Sequence, residues 1–220
     1  MTGEAAREAI LHALGEARRL ELRGDVPEPA PSPIPARAQL DPSAQIDLFV
    51  RYAEAAQAGV TRVAGGEALP GALADLLALQ NLPPQVRLAP ELADFPWARQ
   101  PMLDIAFGPA GPADPVGVTG AFAGIAETGS LLLTSGADSP STLTMLPETH
   151  VAVLRTDQIV GTMEDAWARM RLQYGAGAMP RTAIFITGPS RTADIELTMF
   201  LGAHGPRRLH ILLVDAEPLG

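Results

Sequence analysis

Two runs of consecutive apolar residues constrain the fold of this chain more than any other feature. They are TAIFITG at 182–188 and RLHILLVD at 208–215. Short continuous apolar runs are typical of strands that are buried on both faces, as in a parallel sheet covered by helices. A segment of helical character, TADIELTMFLG at 192–202, separates the two runs. The pattern therefore predicts a strand, a helix and a strand in succession, and an α/β fold.

The same alternation extends back to residue 41. Asp41 and Pro42 predict the start of a helix, which Gly59 ends. Two further helices are predicted at 69–80 and at 162–175. Strands are predicted within the segments VTRVAG, QVRLA, MLDIAF, VGVTG, SLLLTS and HVAVLRT. Because the strands between 98 and 155 lie close together, we expect hairpins there and a mixed, mostly parallel sheet.

The first 40 residues form a separate predicted part. Ile10, Leu11 and Leu14 stand at helical spacing within residues 4–22. Five prolines follow between residues 27 and 35, a density that favours an extended arm over a helix or a central strand. The sequence therefore predicts an N-terminal helix with a proline-rich arm at 1–40 and an α/β domain at 41–220.

Composition excludes several classes of function. The chain of 220 residues has a formal net charge of −9, which disfavours nucleic acid and anionic membranes as partners. It has no cysteine, and all 16 basic residues are arginine. Thiolate catalysis, thiolate-held iron–sulfur clusters and lysine Schiff bases are therefore excluded within this chain. No apolar run approaches the ~20 residues of a membrane span, and we expect a cytoplasmic protein.

The first candidate site is the segment GPSRTADIE, at the end of the predicted strand TAIFIT. Ligands of parallel α/β sheets bind beyond the carboxyl ends of the strands, and the start of the next helix offers free amides to an anion. The residues expected to bind a small anion are Gly188, Pro189, Ser190, Arg191, Thr192, Asp194 and Glu196. The alternative is a well-capped helix with a surface ion pair.

The second candidate is Glu127, between the apolar segment AGIA and the turn TGS. A carboxylate at the edge of buried segments is typical of a nucleophile or general base. Gly129 and Ser130 of the same turn are expected to contact the substrate. The alternative is an ordinary hairpin turn. The nearby hydroxyl-rich segment TSGADSPST at 134–142 is either a polar ligand site or a plain loop.

The four histidines show no metal-ligand spacing, so no metal site is predicted. Each histidine taken alone is more typical of a structural or solvated residue; of the four, His204 in the turn GAHGP is the one best placed for a role in ligand binding.

Four ordered motifs carry a resemblance to a known family. AETGSLLL, LPETHVAVLRTDQIV, GPSRTADIE and GAHGP resemble the lactate-utilisation protein C family, whose unit is the LUD domain. The resemblance covers about residues 40–215. It implies a three-layer, Rossmann-like α/β sandwich similar to that of phosphosugar isomerases and coenzyme A transferases. It also implies a bacterial system that oxidises L-lactate to pyruvate, in which sister proteins carry iron–sulfur clusters.

Two hypotheses follow from this resemblance. In the first, the chain is a subunit without an iron–sulfur cluster that binds a small anion or its partner subunits through GPSRTAD. In the second, it is an independent enzyme of the transferase or isomerase type that uses Glu127 on a small carboxylate or phosphorylated substrate. Neither hypothesis requires a cofactor held by this chain, although flavin stays open because it binds without a short motif.

Overall fold

A computed structural model describes residues 3–21, 33–175, 177–193, 199–201 and 205–216, with the backbone alone at 18–21, 192–193 and 199–201. Its contacts divide the chain into two units, Met1–Pro33 and Ile34–Gly220. The first unit contains helix α1, Gly3–Glu21. Most of the predicted proline arm lies outside the described residues.

The second unit alternates helices and strands. Its α-helices are α2 (Pro42–Ala55), α3 (Leu69–Leu79), α4 (Thr142–Met145) and α5 (Met163–Tyr174). Its first six strands are β1 (Gly59–Val63), β2 (Gln85–Leu88), β3 (Asp104–Phe107), β4 (Val116–Gly120), β5 (Ala123–Ile125) and β6 (Ser130–Thr134). The remaining strands are β7 (Thr149–Arg155), β8 (Ile159–Val160), β9 (Ala183–Ile186), β10 (Arg191–Ala193), β11 (Met199–Leu201) and β12 (Arg208–Val214).

The cap predicted for α2 is confirmed. The Asp41 side chain accepts a hydrogen bond from the backbone N–H of Ala44, and Pro42 occupies the first helical position. The helix ends at Ala55, however, and Gly59 already begins β1. At the start of α5, the Thr162 hydroxyl accepts from Asp165 N–H while the Asp165 carboxylate accepts from Thr162 N–H, a capping box that was not predicted from the sequence.

Six strands form one sheet in the order β1-β12-β7-β4-β2-β3, and every pairing in it is parallel. The long central strands β7 and β12 are buried along nearly their whole length, which explains their continuous apolar sequence. The mostly parallel α/β sheet expected from the sequence is therefore present. We also expected antiparallel strands within this sheet. That expectation was wrong, because the antiparallel pairings lie in separate sheets.

Alternate residues of the central strands serve two cores. Val151, Val153 and Leu212 pack on one face with Leu73 and Leu76 of α3. On the other face, strand residues pack with α2 and with β6. The residues of this second core include Leu48, Phe49, Ala53, Leu131, Leu133, Ala152, Leu154, Ile211 and Leu213. Both faces of the parallel sheet are thus covered, as this kind of sheet requires.

A second sheet of four strands, in the order β8-β5-β6-β9, packs with α2 and with the parallel sheet in this second core. Strand β6 pairs antiparallel with both β5 and β9, so the predicted hairpin is present between β5 and β6. Leu132 of β6 points away from Leu131 and Leu133 and joins Ala166 of α5 in a smaller core. Helix α5 therefore covers the outer face of this sheet.

Two expectations about the segment after residue 182 were wrong. The run TAIFITG contributes β9 to the four-stranded sheet and not to the parallel one, because it pairs with β6. The predicted helix at 192–202 is also absent from its described parts. There, β10 and β11 pair antiparallel. Segment 188–191 therefore does not lie at a carboxyl end of the parallel sheet, and Arg191 begins a strand.

Two glycine turns contact the carboxyl end of α2. Gly129 has a φ of 66°, and a Cβ at this position would overlap the backbone of Tyr52 and Ala53. Gly188 has a φ of 73°, and a Cβ there would overlap the carbonyl of Ala56. Both turns thus require glycine for conformation and for space. They bring the ends of β5 and β9 against the same helix.

No helix in the described parts of the chain is long and apolar enough to span a membrane.

Replacing Gly129 by alanine should destabilise the domain by at least about 2 kcal/mol, because the new Cβ combines a left-handed φ with overlap on the α2 backbone. Urea unfolding of both proteins measures the difference. Gly136→Ala is the matched control, since a Cβ at Gly136 meets nothing within 4 Å. Equal losses in the two variants would contradict this description of the α2 contact.

Candidate functional site

The parallel sheet has one point at which its strand order reverses. The chain passes from β2 outward to β3, whereas from β4 it proceeds in the opposite direction to β7. In open α/β sheets, ligands bind in the crevice at the carboxyl ends of the two strands that flank such a switch point. Here that crevice lies between residues that follow β2 and residues that end β4. The topology therefore identifies a candidate site before any side chain is considered.

A polar pocket of about 290 Å³ occupies this position. We call it the switch-point pocket. Its walls come from the end of β2, the end of β4, the loop after β6, the segment after β7, and α5. The lining residues are Glu91, Gly120, Ala121, Phe122, Thr134, Ser135, Gly136, Ala137, Asp138, Ser139, Gln158, Arg169, Gln173 and Tyr174.

The carboxylate of Glu91 is held in place on one side of the pocket. Its Oε1 accepts hydrogen bonds from the backbone N–H of Gly120 at 2.9 Å and from the Ser139 hydroxyl at 3.0 Å. The backbone N–H of Glu91 donates to the carbonyl of Asp138. A Cβ on Gly120 would lie 2.9 Å from Oε1, so glycine at this position permits the close approach. Glu91 thus links the carboxyl ends of β2 and β4 to the loop after β6.

Burial of the Glu91 carboxyl raises its pKa above the usual value. The hydrogen bonds from Gly120 and Ser139 act in the opposite direction, and the nearby Asp138 carboxylate adds to the increase. Glu91 as a whole remains solvent-exposed, so its carboxyl is both desolvated in part and reachable from the pocket. A carboxyl group in this state is suited to hydrogen bonding or proton transfer with a bound ligand.

Aromatic and cationic side chains form the opposite wall. The Arg169 guanidinium carbon lies 5.8 Å from the centre of the Phe122 ring, and Nη1 donates to the carbonyl of Asp157. Tyr174 stacks on the same ring and donates its hydroxyl to Thr134. Within residues 33–175, Arg169 takes part in no ion pair shorter than 4.0 Å. Its charge attracts the nearby Asp157 carboxylate and, with no closer ion pair, can also attract an anionic ligand.

Glu127 lies elsewhere and contacts a helix end. Its Oε1 accepts a hydrogen bond from the backbone N–H of Met163, the first residue of α5, at 2.9 Å. Thr162 and Asp165 cap the same turn. The carboxylate thus satisfies one of the free N–H groups of the helix and interacts favourably with its dipole. This contact gives Glu127 a structural role, and its predicted catalytic role stays untested.

Ser130 connects the two stretches that the sequence singles out. Its hydroxyl lies 2.8 Å from that of Thr128 and 2.6 Å from that of Thr187. Ser130 is buried, with 3% of its surface exposed. The chain of three hydroxyls joins the turn around Gly129 to the end of β9. The two predicted segments are therefore neighbours, although none of their described residues lines the switch-point pocket.

Residues 188–191 line a different cavity, of about 470 Å³. His150 and Leu209 of the parallel sheet contribute to its wall. The Arg191 guanidinium donates to the carbonyl of Ala56, just beyond the last residue of α2. Arg191 therefore stabilises a helix end, the opposite of the helix start expected from the sequence. Anion binding by this segment stays a prediction.

Three predicted site residues, Asp194, Glu196 and His204, lie outside the described residues, and only the backbone of Thr192 is described.

Sequence reasoning missed Glu91 and Arg169. Glu91 follows the predicted strand QVRLA, so its position after a parallel strand was a usable signal. The strand order, which makes β2 a neighbour of β4, was not available from sequence. The hydroxyl-rich segment after β6 was recognised, and part of it does line the pocket.

Comparisons with known proteins agree with the motifs. The LUD domain model matches residues 113–214. A lactate utilization protein C of Deinococcus radiodurans is 32% identical over 210 residues, which are 94% of this chain and 96% of that protein. An uncharacterised protein of Neisseria meningitidis is 41% identical over 98 residues, 44% of this chain.

In several of these comparisons the matched part is short. It spans 41% of the Neisseria protein and 42% of a lactate utilization protein C of Geobacillus, so the chain covers less than half the length of these curated relatives. Among solved structures, a DUF162 family protein of Deinococcus radiodurans is similar with a TM-score of 0.60 and 25% identity. The match covers 80% of this chain and 99% of that one. The chain belongs to the LUD-domain family of lactate utilization protein C.

Replacing Glu127 by alanine should lower the free energy of unfolding by about 1 kcal/mol, because the first N–H of α5 loses its acceptor. Glu127→Gln keeps an acceptor and loses only the charge, so its cost should be about 0.5 kcal/mol. Urea unfolding measures both, with the exposed Glu54→Ala on α2 as control. Unchanged stability together with lost function would contradict the capping role and restore Glu127 as a catalytic candidate.

Acid should destabilise the protein partly through His150. Complete burial lowers the pKa of this histidine from 6.5 to about 4, and its Nδ1 has no hydrogen-bond partner among the residues that the structure describes. Between these two values the unfolded chain binds a proton that the folded chain does not. The free energy of unfolding should therefore fall as the pH is lowered through this window. The slope measured by urea unfolding should be smaller in His150→Gln. An equal slope would show that His150 is protonated in the folded protein.

Proposed function

We propose that this protein is a component of a bacterial lactate-utilisation system and that it binds a small carboxylate of the lactate type in the switch-point pocket. A role in lactate utilisation is supported most strongly by the match to a lactate utilization protein C over 94% of this chain and 96% of the relative. Similarity over nearly the whole of both chains favours a shared role.

The residues that line the pocket support a small carboxylate as its ligand. It combines one guanidinium, Arg169, with hydroxyl, amide and carboxylate groups on the surrounding walls. A guanidinium binds a carboxylate through two parallel hydrogen bonds, and the polar walls match a second polar group on the same small molecule. The ring of Phe122 supplies an apolar surface for the short hydrocarbon part.

The chain would act beside partner proteins. Its sequence has no cysteine, so clusters held by thiolates must be carried by other subunits if lactate is oxidised through them. In this proposal the chain supplies ligand binding or subunit contacts, and the redox groups are held elsewhere. Co-purification of iron–sulfur proteins with the tagged chain from its own host tests the partnership.

The independent-enzyme hypothesis is less well supported. Glu127, which would be its nucleophile or base, already contacts the N-terminus of α5 and does not line the switch-point pocket. Turnover of a small carboxylate or phosphorylated substrate by the purified chain, lost in Glu127→Gln, would favour that hypothesis.

Deleting the gene should impair growth on L-lactate and spare growth on glucose in a strain without other lactate dehydrogenases. Wild-type protein should restore growth, and Arg169→Gln should not, because the carboxylate loses its cationic partner. Arg171→Gln is the matched control, since Arg171 lies on the same helix, is exposed and does not line the pocket. Full restoration by a stable Arg169→Gln protein would remove the switch-point pocket from the proposal.

A further inference from the structure

We propose that Glu91 makes the switch-point pocket selective for ligands that carry a hydroxyl group over otherwise equal ligands that carry a carbonyl at the same position. The inference rests on the proposed function, because it takes a small carboxylate bound at Arg169 as its starting point. In chemical terms, the site would prefer 2-hydroxy acids to 2-oxo acids, and L-lactate to pyruvate.

The orientation of the Glu91 carboxylate is fixed by two hydrogen bonds. Gly120 N–H and the Ser139 hydroxyl both donate to the same oxygen, Oε1. Two donors at one oxygen satisfy both of its lone-pair directions and hold the plane of the group. Glu91 therefore cannot turn Oε1 towards a ligand without breaking contacts to two other elements of the fold.

Oε2 is the other oxygen of the Glu91 carboxylate. Among the described residues, no group donates a hydrogen bond to Oε2 of Glu91, and Glu91 lines the pocket. The Ser139 hydroxyl donates to the carboxylate, which fits the ionised form of Glu91. An ionised carboxylate is only an acceptor. A ligand atom that binds next to Oε2 must therefore be a hydrogen-bond donor.

A hydroxyl and a carbonyl differ in this property. The hydroxyl of a 2-hydroxy acid can donate to Oε2, whereas the carbonyl oxygen of a 2-oxo acid would face it acceptor to acceptor. Sites built around a hydrogen bond to a substrate hydroxyl reject analogues that lack it, because the polar group of the site stays unpaired. Since Glu91 keeps contact with solvent, we expect a preference of about tenfold, well below the limit for an enclosed site.

The remaining charged groups of the pocket do not remove this preference. Asp138 lies on the loop after β6 and is also only an acceptor when ionised. It therefore also favours ligands that carry hydrogen-bond donors. Arg169 lies on α5 and is a donor only. It attracts the ligand's carboxylate, which hydroxy and oxo acids share. Tyr174 donates its hydroxyl to Thr134.

Binding of L-lactate and of pyruvate to the full-length protein at pH 8, measured by calorimetry or by NMR titration, tests the inference. The wild-type protein should bind L-lactate about tenfold more tightly than pyruvate. In Glu91→Gln the preference should shrink to about twofold or less, because Gly120 and Ser139 still donate to the amide oxygen and the amide NH2 can then donate to a hydroxyl or to a carbonyl alike. Glu54→Gln, an exposed glutamate of α2, should behave as the wild type.

Gly120→Ala is the second variant. Its Cβ would lie 2.9 Å from Oε1 and displace the Glu91 carboxylate while leaving the charge in place. It should lose the preference as Glu91→Gln does. The displaced atom is the end of a flexible side chain, so this variant should still fold.

Equal binding of the two acids by the wild-type protein, or a tenfold preference that persists in Glu91→Gln, would overturn the inference and leave the proposed function intact. Binding of neither acid would overturn both the inference and the proposed ligand class. Unchanged binding of both acids in Arg169→Gln would count against the proposed function and against the carboxylate position from which the inference starts.

Discussion

The neighbouring strands β2 and β4 run parallel, but the connections that leave them turn in opposite directions. This reversal keeps any crossover from covering the crevice at their carboxyl ends, and it leaves a polar pocket there. Glu91 reaches the pocket from the end of β2 and is fixed by the N–H of Gly120 at the end of β4. The candidate site is therefore a consequence of strand order, and the side chains that define it come from segments far apart in the sequence.

Two carboxylates illustrate how position decides a role. Glu127 lies in a sequence motif that predicts a catalytic site. Its carboxylate, however, accepts from the first N–H of α5, and the same helix start carries a capping box. Glu91 stands in an ordinary segment, PELADF, yet its carboxyl has a raised pKa and one oxygen without a donor among the described residues. The chemistry of the residue type is the same in both. The helix end uses the charge for stability, whereas the pocket leaves the charge available to a ligand.

The sequence predicted what local interactions determine. The cap at Asp41, the long apolar strands β7 and β12, and the hairpin of β5 and β6 all follow from patterns within a few residues. The pairing of β9 with β6 was missed, because an apolar strand of four residues fits either sheet equally well. The requirement for glycine at positions 129 and 188 could not be predicted from the sequence either, since it arises from contact with α2, more than 70 residues earlier in the chain. The pairs Glu91–Gly120 and Ser130–Thr187 depend on the same long-range packing.

The most direct test of the central claim is a crystal structure of the protein with L-lactate. We expect ligand density in the switch-point pocket, with the carboxylate at Arg169 and the hydroxyl at Oε2 of Glu91. Density for the ligand in the cavity lined by residues 187–191, with the switch-point pocket free of ligand, would contradict the account and restore the segment GPSR as the binding site.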